Sequence, residues 1–197
     1  TRASRRRRRR TESTVQRDHR RLGPALDLFS LHPIAPGAPF FHPKGTIVYN
    51  LLVDYIRSLY KRYGYAEVVT PLIYKTDLWK TSGHYEAFHD DMFLVQVEDG
   101  EYGVKPMNCP YHVMIYKSSL RSYRELPLRW AELGTVYRFE RSGVLHGLFR
   151  VRGFTQDDAH IIFRRDQMEQ ELTTVFRFSL NMLKAFGFTD FVCRRST

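Results

Sequence analysis

Apolar residues recur every three or four positions from residue 45 to residue 63, which is the spacing of one face of an α-helix. These positions are Ile47, Val48, Leu51, Leu52, Tyr55, Ile56, Leu59, Tyr60 and Tyr63. Gly64 follows them, and glycine commonly ends helices. The next run, Ala66–Thr70, is rich in β-branched residues and stops at Pro71. The pattern therefore predicts a helix followed by a short strand.

The remaining patterns predict mostly strands joined by hairpins. Met92–Val97 and Tyr102–Lys105, connected by residues 98–101, are typical of a β-hairpin. The other predicted elements are helices at Lys75–Ser82, Cys109–Ser119 and Gln167–Phe186, a loop at 83–91, two long strands at Leu128–Phe139 and Phe154–Phe163, and a final strand at Phe188–Cys193. This order predicts an α+β fold with a mixed, mainly antiparallel sheet flanked by helices.

Composition adds a strongly basic amino-terminal segment. Residues 1–21 contain ten arginines and two acids, which account for +8 of the net charge of +10. Residues 1–16 are predicted to be a disordered, arginine-rich tail, because like charges repel and little can be buried. The tail is either an artefactual or solvated segment or a basic arm on RNA phosphates. The rest of the chain is too close to neutral to indicate RNA binding by itself.

No apolar run approaches the roughly 20 residues that span a bilayer, and no signal peptide pattern is visible. A cytoplasmic protein with no membrane partner is therefore expected. Cys109 and Cys193 are far apart and make a weak case for a disulfide, and Cys193 is interpreted as a buried or strand thiol. Because the chain starts at Thr1 rather than Met and stops at Thr197 after an apolar run, a fragment is expected.

The residues best suited to chemistry surround the loop between the two long strands. Arg138 and Glu140 are two apart and would share one face of the first strand. Arg150, Arg152 and Phe154 would share one face of the returning strand. Arginine forks suit phosphate oxygens and a phenyl ring suits a base, so the hairpin fits a nucleoside triphosphate. A surface hairpin with solvated charges is the alternative, and no Walker loop or G-x-G-x-x-G occurs.

These residues resemble a known family. Arg138-Phe139-Glu140, a loop and the run from Arg150 to Phe154 resemble the second signature motif of class II aminoacyl-tRNA synthetases. The Gly45–Pro71 region resembles their first motif, which builds the interface of a homodimer. The stretches K-P-M-N-C-P (105–110), R-S-Y-R-E-L-P-L-R (121–129) and R-V-R-G-F-T-Q-D-D-A-H (150–160) resemble threonyl-tRNA synthetases in particular. The resemblance implies a class II catalytic core over residues 17–197 that stops before the third motif.

The resemblance also implies roles in an ATP site. Arg138 would be the catalytic residue, because it would hold the α-phosphate and stabilise charge in the transition state. Glu140 would read the adenine amino group and Phe154 would stack on adenine. Arg150 would grip the outer phosphates, and Mg²⁺ would accompany ATP.

A threonine pocket is implied beside the ATP site. Gln156 and Asp158 would contact threonine, Asp158 through the side-chain hydroxyl, and Met107 would also bind this substrate. Cys109 and His160 would be Zn²⁺ ligands, with a third ligand outside this chain, so the chain alone is expected to bind zinc weakly. By spacing alone, a buried cysteine and a hydrogen-bonded histidine remain the better interpretation, because close Cys/His pairs are absent.

The function implied by the resemblance is that of a threonine–tRNA ligase, acting on threonine, ATP and tRNA(Thr). The isolated chain is expected to be inactive because its site is incomplete. The alternatives are a prolyl or seryl synthetase, a non-catalytic class II paralogue or RNA-binding module, and an inactive fragment. His84, His112 and His146 are interpreted as loop or surface histidines.

Overall fold

The computed structural model describes residues 17–190 and 192–194, so the predicted tail at 1–16 lies outside the described residues. The helices are α1 (His19–Ala25), α2 (Pro43–Tyr63), α3 (Asp77–Thr81), α4 (His84–Phe88), α5 (Cys109–Lys117) and α6 (Met168–Ala185). The strands are β1 (Phe29–Leu31), β2 (Pro39–Phe41), β3 (Ala66–Glu67), β4 (Ile73–Lys75), β5 (Leu94–Val97), β6 (Gly100–Val104), β7 (Leu128–Tyr137) and β8 (Gly153–Ile162). In this described part, no helix is both long and apolar enough to cross a bilayer.

The central sheet is built on two long antiparallel strands. β7 and β8 pair continuously from Leu128 opposite Ile162 to Tyr137 opposite Gly153. The short strand β3 lies parallel to β7 on its other side, so the sheet is mixed. β4, β6 and β5 form a second, antiparallel sheet, and β1 pairs with β2. The predicted α+β fold with a mainly antiparallel sheet is confirmed.

Helix α2 covers one face of the central sheet. It begins at Pro43, a residue that suits the first helical turn, and it ends before Gly64, whose φ of 72° is in the left-handed region that favours glycine. Its buried residues Ile56, Leu59 and Tyr60 pack against Ala131 of β7. The Tyr60 hydroxyl also donates a hydrogen bond to Asp157 of β8. Asp157 therefore points toward α2, and its neighbours on β8 point away from it.

Several predictions of local structure are confirmed with small changes of boundary. The helix after residue 45, the helix at residue 109 and the long carboxy-terminal helix are all present. The predicted hairpin is β5–β6, although its turn contains only Glu98 and Asp99 between the paired strands. The strand predicted at Ala66–Thr70 is shorter, because the Thr70 amide donates to the Glu132 side chain instead of to a neighbouring strand.

Four other predictions differ from the structure. The predicted loop at 83–91 contains α4 and a 3₁₀ turn at His89–Asp91, since Gly83 turns the chain with a φ of 75° and allows a new helix to start. The helix predicted at Lys75–Ser82 is shorter, because Lys75 ends β4. No described residue of the predicted strand Phe188–Cys193 is paired in a sheet. Cys193 is an exposed free thiol and not a buried one.

Candidate active site

Alternate residues of β8 carry most of the predicted site. Phe154, Gln156, Asp158 and His160 are two apart, so their side chains leave the same face of the strand. Asp157 lies between them and contacts Tyr60 of α2 on the other face. Helix α2 therefore lies on one side of β8, and the candidate site is on the opposite side.

Arg138 lies directly after β7 at one end of this face. Its amide donates to the Arg152 carbonyl at 2.8 Å. The Arg138 guanidinium is 5.4 Å from the centre of the Phe154 ring, and its Nε donates to the Pro106 carbonyl at 3.0 Å. These two contacts fix the plane of the guanidinium, while its terminal nitrogens make no hydrogen bond within the described part of the chain. A fixed arginine beside an aromatic ring is an arrangement that suits a nucleotide.

Glu140 and Arg150 face each other across the loop. An Arg150 terminal nitrogen donates to the Glu140 carboxylate at 2.9 Å. The prediction that Arg150, Arg152 and Phe154 share a strand face is wrong, because β8 begins only at Gly153. The Arg152 guanidinium instead lies 5.1 Å from the Phe139 ring centre, and its Nε donates to the Glu140 carbonyl at 2.9 Å. Arg152 thus holds the loop and does not face Phe154.

A group of three potential metal ligands lies farther along the same face. Cys109 at the start of α5 and Asp158 and His160 of β8 offer ligand atoms that all lie within 4.8 Å of one another. Each of the three residues is half-buried. Thiolate, carboxylate and imidazole together form a donor set that fits zinc. The two residues implied as ligands by the resemblance are therefore brought together from positions 109 and 160.

The surroundings change the proton affinity of two of these ligands. Burial raises the pKa of the Cys109 thiol, and the Asp158 carboxylate raises it further. Burial lowers the pKa of His160 and the nearby His112 lowers it further, although the Asp158 carboxylate opposes this shift. The His160 imidazole is consequently neutral at pH 7 and has a lone pair for a metal ion.

Asn108 joins the start of α5 to β8. It is fully buried, and its amide nitrogen donates to the Asp158 carboxylate at 2.9 Å. Gly134 of β7 makes room for it, because a Cβ at that position would lie 2.5 Å from the Asn108 amide. Asn108 therefore holds the Asp158 carboxylate next to Cys109.

A methyl group at position 134 is expected to disturb this arrangement. Gly134→Ala should lower the free energy of unfolding by about 1–3 kcal/mol, because the added carbon overpacks a buried amide. The matched control is Gly143→Ala, where a Cβ meets nothing within 4 Å. Urea denaturation of both variants measures the difference. Equal stability of the two variants would contradict the close contact.

The prediction for His112 is wrong, since this side chain is 1% exposed. Its Nδ1 is 2.8 Å from Nδ1 of His160, and its Nε2 is 3.1 Å from the Glu132 carboxylate. The sequence contained a signal for this position, because residues three apart on a helix share a face, and His112 is three residues after Cys109. The other two histidines are closer to expectation: His146 is exposed in the loop, and His84 is half-buried at the start of α4.

The two remaining predicted site residues lie at the edge of the face. Gln156 is half-buried on β8 opposite Gly134. Met107 is half-buried and packs against the apolar cluster that contains Tyr74, Trp79 and Tyr111. Met107 and Gln156 are both close in sequence to the candidate metal ligands. Among the described residues, the Gln156 side chain makes no hydrogen bond.

Comparison with known proteins identifies the class to which this fold and site belong. Residues 93–197 match the family described as tRNA synthetase class II core domain (G, H, P, S and T). The chain belongs to this family, the class II aminoacyl-tRNA synthetases.

Within the class, the chain is similar to threonine–tRNA ligases. The chain is 48% identical to that of Clostridium kluyveri over 92% of its own length, and 51% identical to that of Caldanaerobacter subterraneus subsp. tengcongensis over 90%. It spans 28% of the length of each of these relatives. The crystal structure of the RNA binding domain of threonyl-tRNA synthetase from Cryptosporidium parvum Iowa II matches with a TM-score of 0.85 and 46% identity, covering 88% of this chain and 44% of that one. The resemblance to threonyl-tRNA synthetases is confirmed.

Proposed function

We propose that the protein carrying this chain is a threonine–tRNA ligase, which activates threonine with ATP and transfers it to tRNA(Thr). The observation that carries the proposal is the pairing of two features on one face of β8. Phe154, with Arg138 against its ring, lies at one end. Asp158 and His160, with Cys109 beside them, lie at the other. A nucleotide and a metal-bound amino acid can therefore meet along a single strand.

Because tRNA charging accompanies translation, we place this activity in the cytoplasm.

Arg138 would act in the activation step, in which the threonine carboxylate attacks the α-phosphate of ATP and pyrophosphate leaves. Its guanidinium would donate to the phosphate oxygens as charge develops on them. Phe154 would stack on adenine, Glu140 would accept a hydrogen bond from the adenine amino group, and Arg150 would bind the outer phosphates that Mg²⁺ also neutralises. No side chain acts as a covalent nucleophile, so catalysis depends on positioning and electrostatics.

Cys109 and His160 would hold a zinc ion in the threonine pocket, together with a third ligand outside this chain. The bound ion would supply a Lewis acid for the amine and hydroxyl of threonine. Asp158 would accept a hydrogen bond from the threonine hydroxyl, and the orientation of its carboxylate by Asn108 supports that role. Gln156 and Met107 would line the same pocket. Valine lacks the hydroxyl and would leave a buried carboxylate unpaired, which is costly.

Amino-acid-dependent exchange of pyrophosphate into ATP tests the proposal. Threonine is expected to support exchange, with valine lower by about 10⁴-fold, since a site built to bind a hydroxyl strongly rejects the analogue without it. Exchange with proline or serine in place of threonine would indicate another class II enzyme. ATP binding without any exchange would indicate a non-catalytic paralogue.

The exposed face of α2 supports the proposed homodimer through the Gly45–Pro71 region. Ile47 and Leu51 are 62% and 63% exposed, although the pattern of the helix is amphipathic. Val48 and Leu52, which follow them along α2, are also exposed, and so is Val69 after β3. Exposed apolar residues grouped on one helix in this way are typical of a protein–protein interface.

A charge on this face is expected to separate the dimer. Leu51→Glu should raise the dimer dissociation constant at least about 30-fold, as expected for losing a contact worth about 2 kcal/mol. Leu120→Glu is the matched control, because Leu120 is fully exposed and lies outside α2. Sedimentation equilibrium measures both variants. A Leu51→Glu protein that remains as dimeric as the control would place the interface elsewhere.

A further inference from the structure

A line of buried polar side chains leads from the interior of the protein to His160. Lys105 Nζ lies 3.0 Å from Glu132 Oε1, and His112 Nε2 lies 3.1 Å from Glu132 Oε2. His112 Nδ1 then lies 2.8 Å from Nδ1 of His160. Lys105, His112 and Glu132 are 2%, 1% and 3% exposed, respectively. The proposed function gives no role to these three residues, although they end at one of its metal ligands.

Glu132 fixes the direction of the hydrogen bonds in this line. Burial alone would raise the pKa of its carboxyl group, but hydrogen bonds from His112, the Thr70 amide and Lys105 lower this pKa to about 2. The carboxylate is therefore ionised at neutral pH. An ionised carboxylate accepts hydrogen bonds and cannot donate them.

The positions of the ring protons follow from this constraint. Since Glu132 only accepts, Nε2 of His112 must carry a proton and donate it. When Nε2 carries the only ring proton of His112, its Nδ1 is an acceptor, so the hydrogen bond between the two rings comes from Nδ1–H of His160. With its proton on Nδ1, His160 has the free lone pair on Nε2. If His112 instead carried its proton on Nδ1, its unprotonated Nε2 would face the Glu132 carboxylate. Two acceptors would then meet in a buried site, which is costly.

We infer that His112 is a positioning residue that holds His160 in the tautomer whose Nε2 can bind a metal ion beside Cys109. The inference rests on the metal site of the proposed function. Metal-binding histidines commonly donate their other ring N–H to a carboxylate or carbonyl, which fixes the ring and raises its basicity. Here the acceptor is a second imidazole, and Glu132 in turn fixes that imidazole.

Two substitutions at position 112 separate this role from simple packing. In His112→Asn, the side-chain oxygen can occupy the place of Nδ1 and still accept the His160 proton. In His112→Leu, a side chain of similar size offers no acceptor. His112→Leu is expected to weaken metal binding about 10- to 100-fold, the usual range for such supporting residues, and His112→Asn by less than about tenfold.

The measurement is a titration of the metal-free protein carrying this chain with cobalt(II) chloride. The thiolate-to-cobalt charge-transfer band reports cobalt bound to a cysteine sulfur, and Cys193→Ser, which removes the other free thiol described in this chain, should leave the band unchanged. Circular dichroism and thermal unfolding in the presence of a chelator check that each variant folds. Glu132→Gln provides a second measurement if His112→Leu does not fold. Its amide can donate to His112 and reverse the order of the hydrogen bonds, so it too should weaken binding about tenfold or more.

The outcomes are distinct. Weaker cobalt binding by His112→Leu or Glu132→Gln, with His112→Asn close to the unaltered protein, supports the inference. Equal affinity in the unaltered and His112→Leu proteins overturns it, as does an equal loss in the folded Asn and Leu variants. An unaltered protein with no thiolate band would instead refute the metal site of the proposed function, before any variant is compared.

Discussion

Arg138→Ala is expected to lower the rate of threonyl-adenylate formation by about 100- to 1,000-fold, which corresponds to about 3–4 kcal/mol of transition-state stabilisation. The physical reason is that the guanidinium is fixed before the substrate binds. Its Nε donates to the Pro106 carbonyl at 3.0 Å, and its central carbon lies 5.4 Å from the centre of the Phe154 ring. Little reorganisation is therefore needed when charge develops on the α-phosphate. Exchange of pyrophosphate into ATP, with saturating threonine, measures the rate.

Two controls separate this role from a general effect of charge or folding. Arg177→Ala removes an exposed arginine of α6 and should leave the rate unchanged. Arg138→Lys retains the charge without the planar fork, so it should recover only part of the activity. An Arg138→Ala protein that exchanges pyrophosphate as fast as Arg177→Ala would refute the assignment of Arg138.

Cys109→Ser is expected to weaken zinc binding by more than about 100-fold, because it removes a direct ligand and not only a supporting residue. Serine has nearly the same size, but its hydroxyl is a poor substitute for a thiolate on zinc. Threonine activation should fall together with the zinc content. Metal analysis by mass spectrometry after dialysis, followed by pyrophosphate exchange on the same samples, measures both quantities.

The second cysteine of the chain provides the matched control. Cys193 is an exposed free thiol, and Cys193→Ser should retain both zinc and activity. Full zinc content and full activity in Cys109→Ser would show that the metal, if present, is bound elsewhere. A loss of zinc in both variants would indicate a general effect of the substitution and not a site at Cys109.

The resemblance singled out Phe154, Asp158 and His160, and the predicted strand at Phe154–Phe163 accounts for their common face. Phe154, Asp158 and His160 alternate along one strand, and a two-residue period places them on one face whatever the rest of the fold does. The two-residue period does not predict which residues share a face beyond the ends of a strand. Arg152 was assigned to the face of Phe154, but it precedes β8 and packs against Phe139 instead. The position where a strand ends depends on its partner strand, which local patterns do not specify.

The spacing from Cys109 could place His112 on the same helix face, but local patterns could not predict that its side chain is buried. Histidine occurs both on surfaces and in interiors, so the residue type alone does not predict burial. Its burial here depends on Glu132 and His160, which are 20 and 48 residues away in sequence. Neither residue can be recognised as a contact of His112 before the fold is known. The predicted strand at Phe188–Cys193 failed for a related reason, since a strand requires a neighbour to accept and donate its hydrogen bonds.

The central claim is that Cys109 and His160 are ligands of one zinc ion in the threonine pocket. X-ray absorption at the zinc edge, on the purified protein carrying this chain, tests it most directly. The claim predicts one sulfur neighbour at about 2.3 Å with the remaining nitrogen or oxygen neighbours at about 2.0–2.2 Å, and loss of the sulfur signal in Cys109→Ser. A spectrum with only nitrogen and oxygen neighbours, or one unchanged by Cys109→Ser, would contradict it.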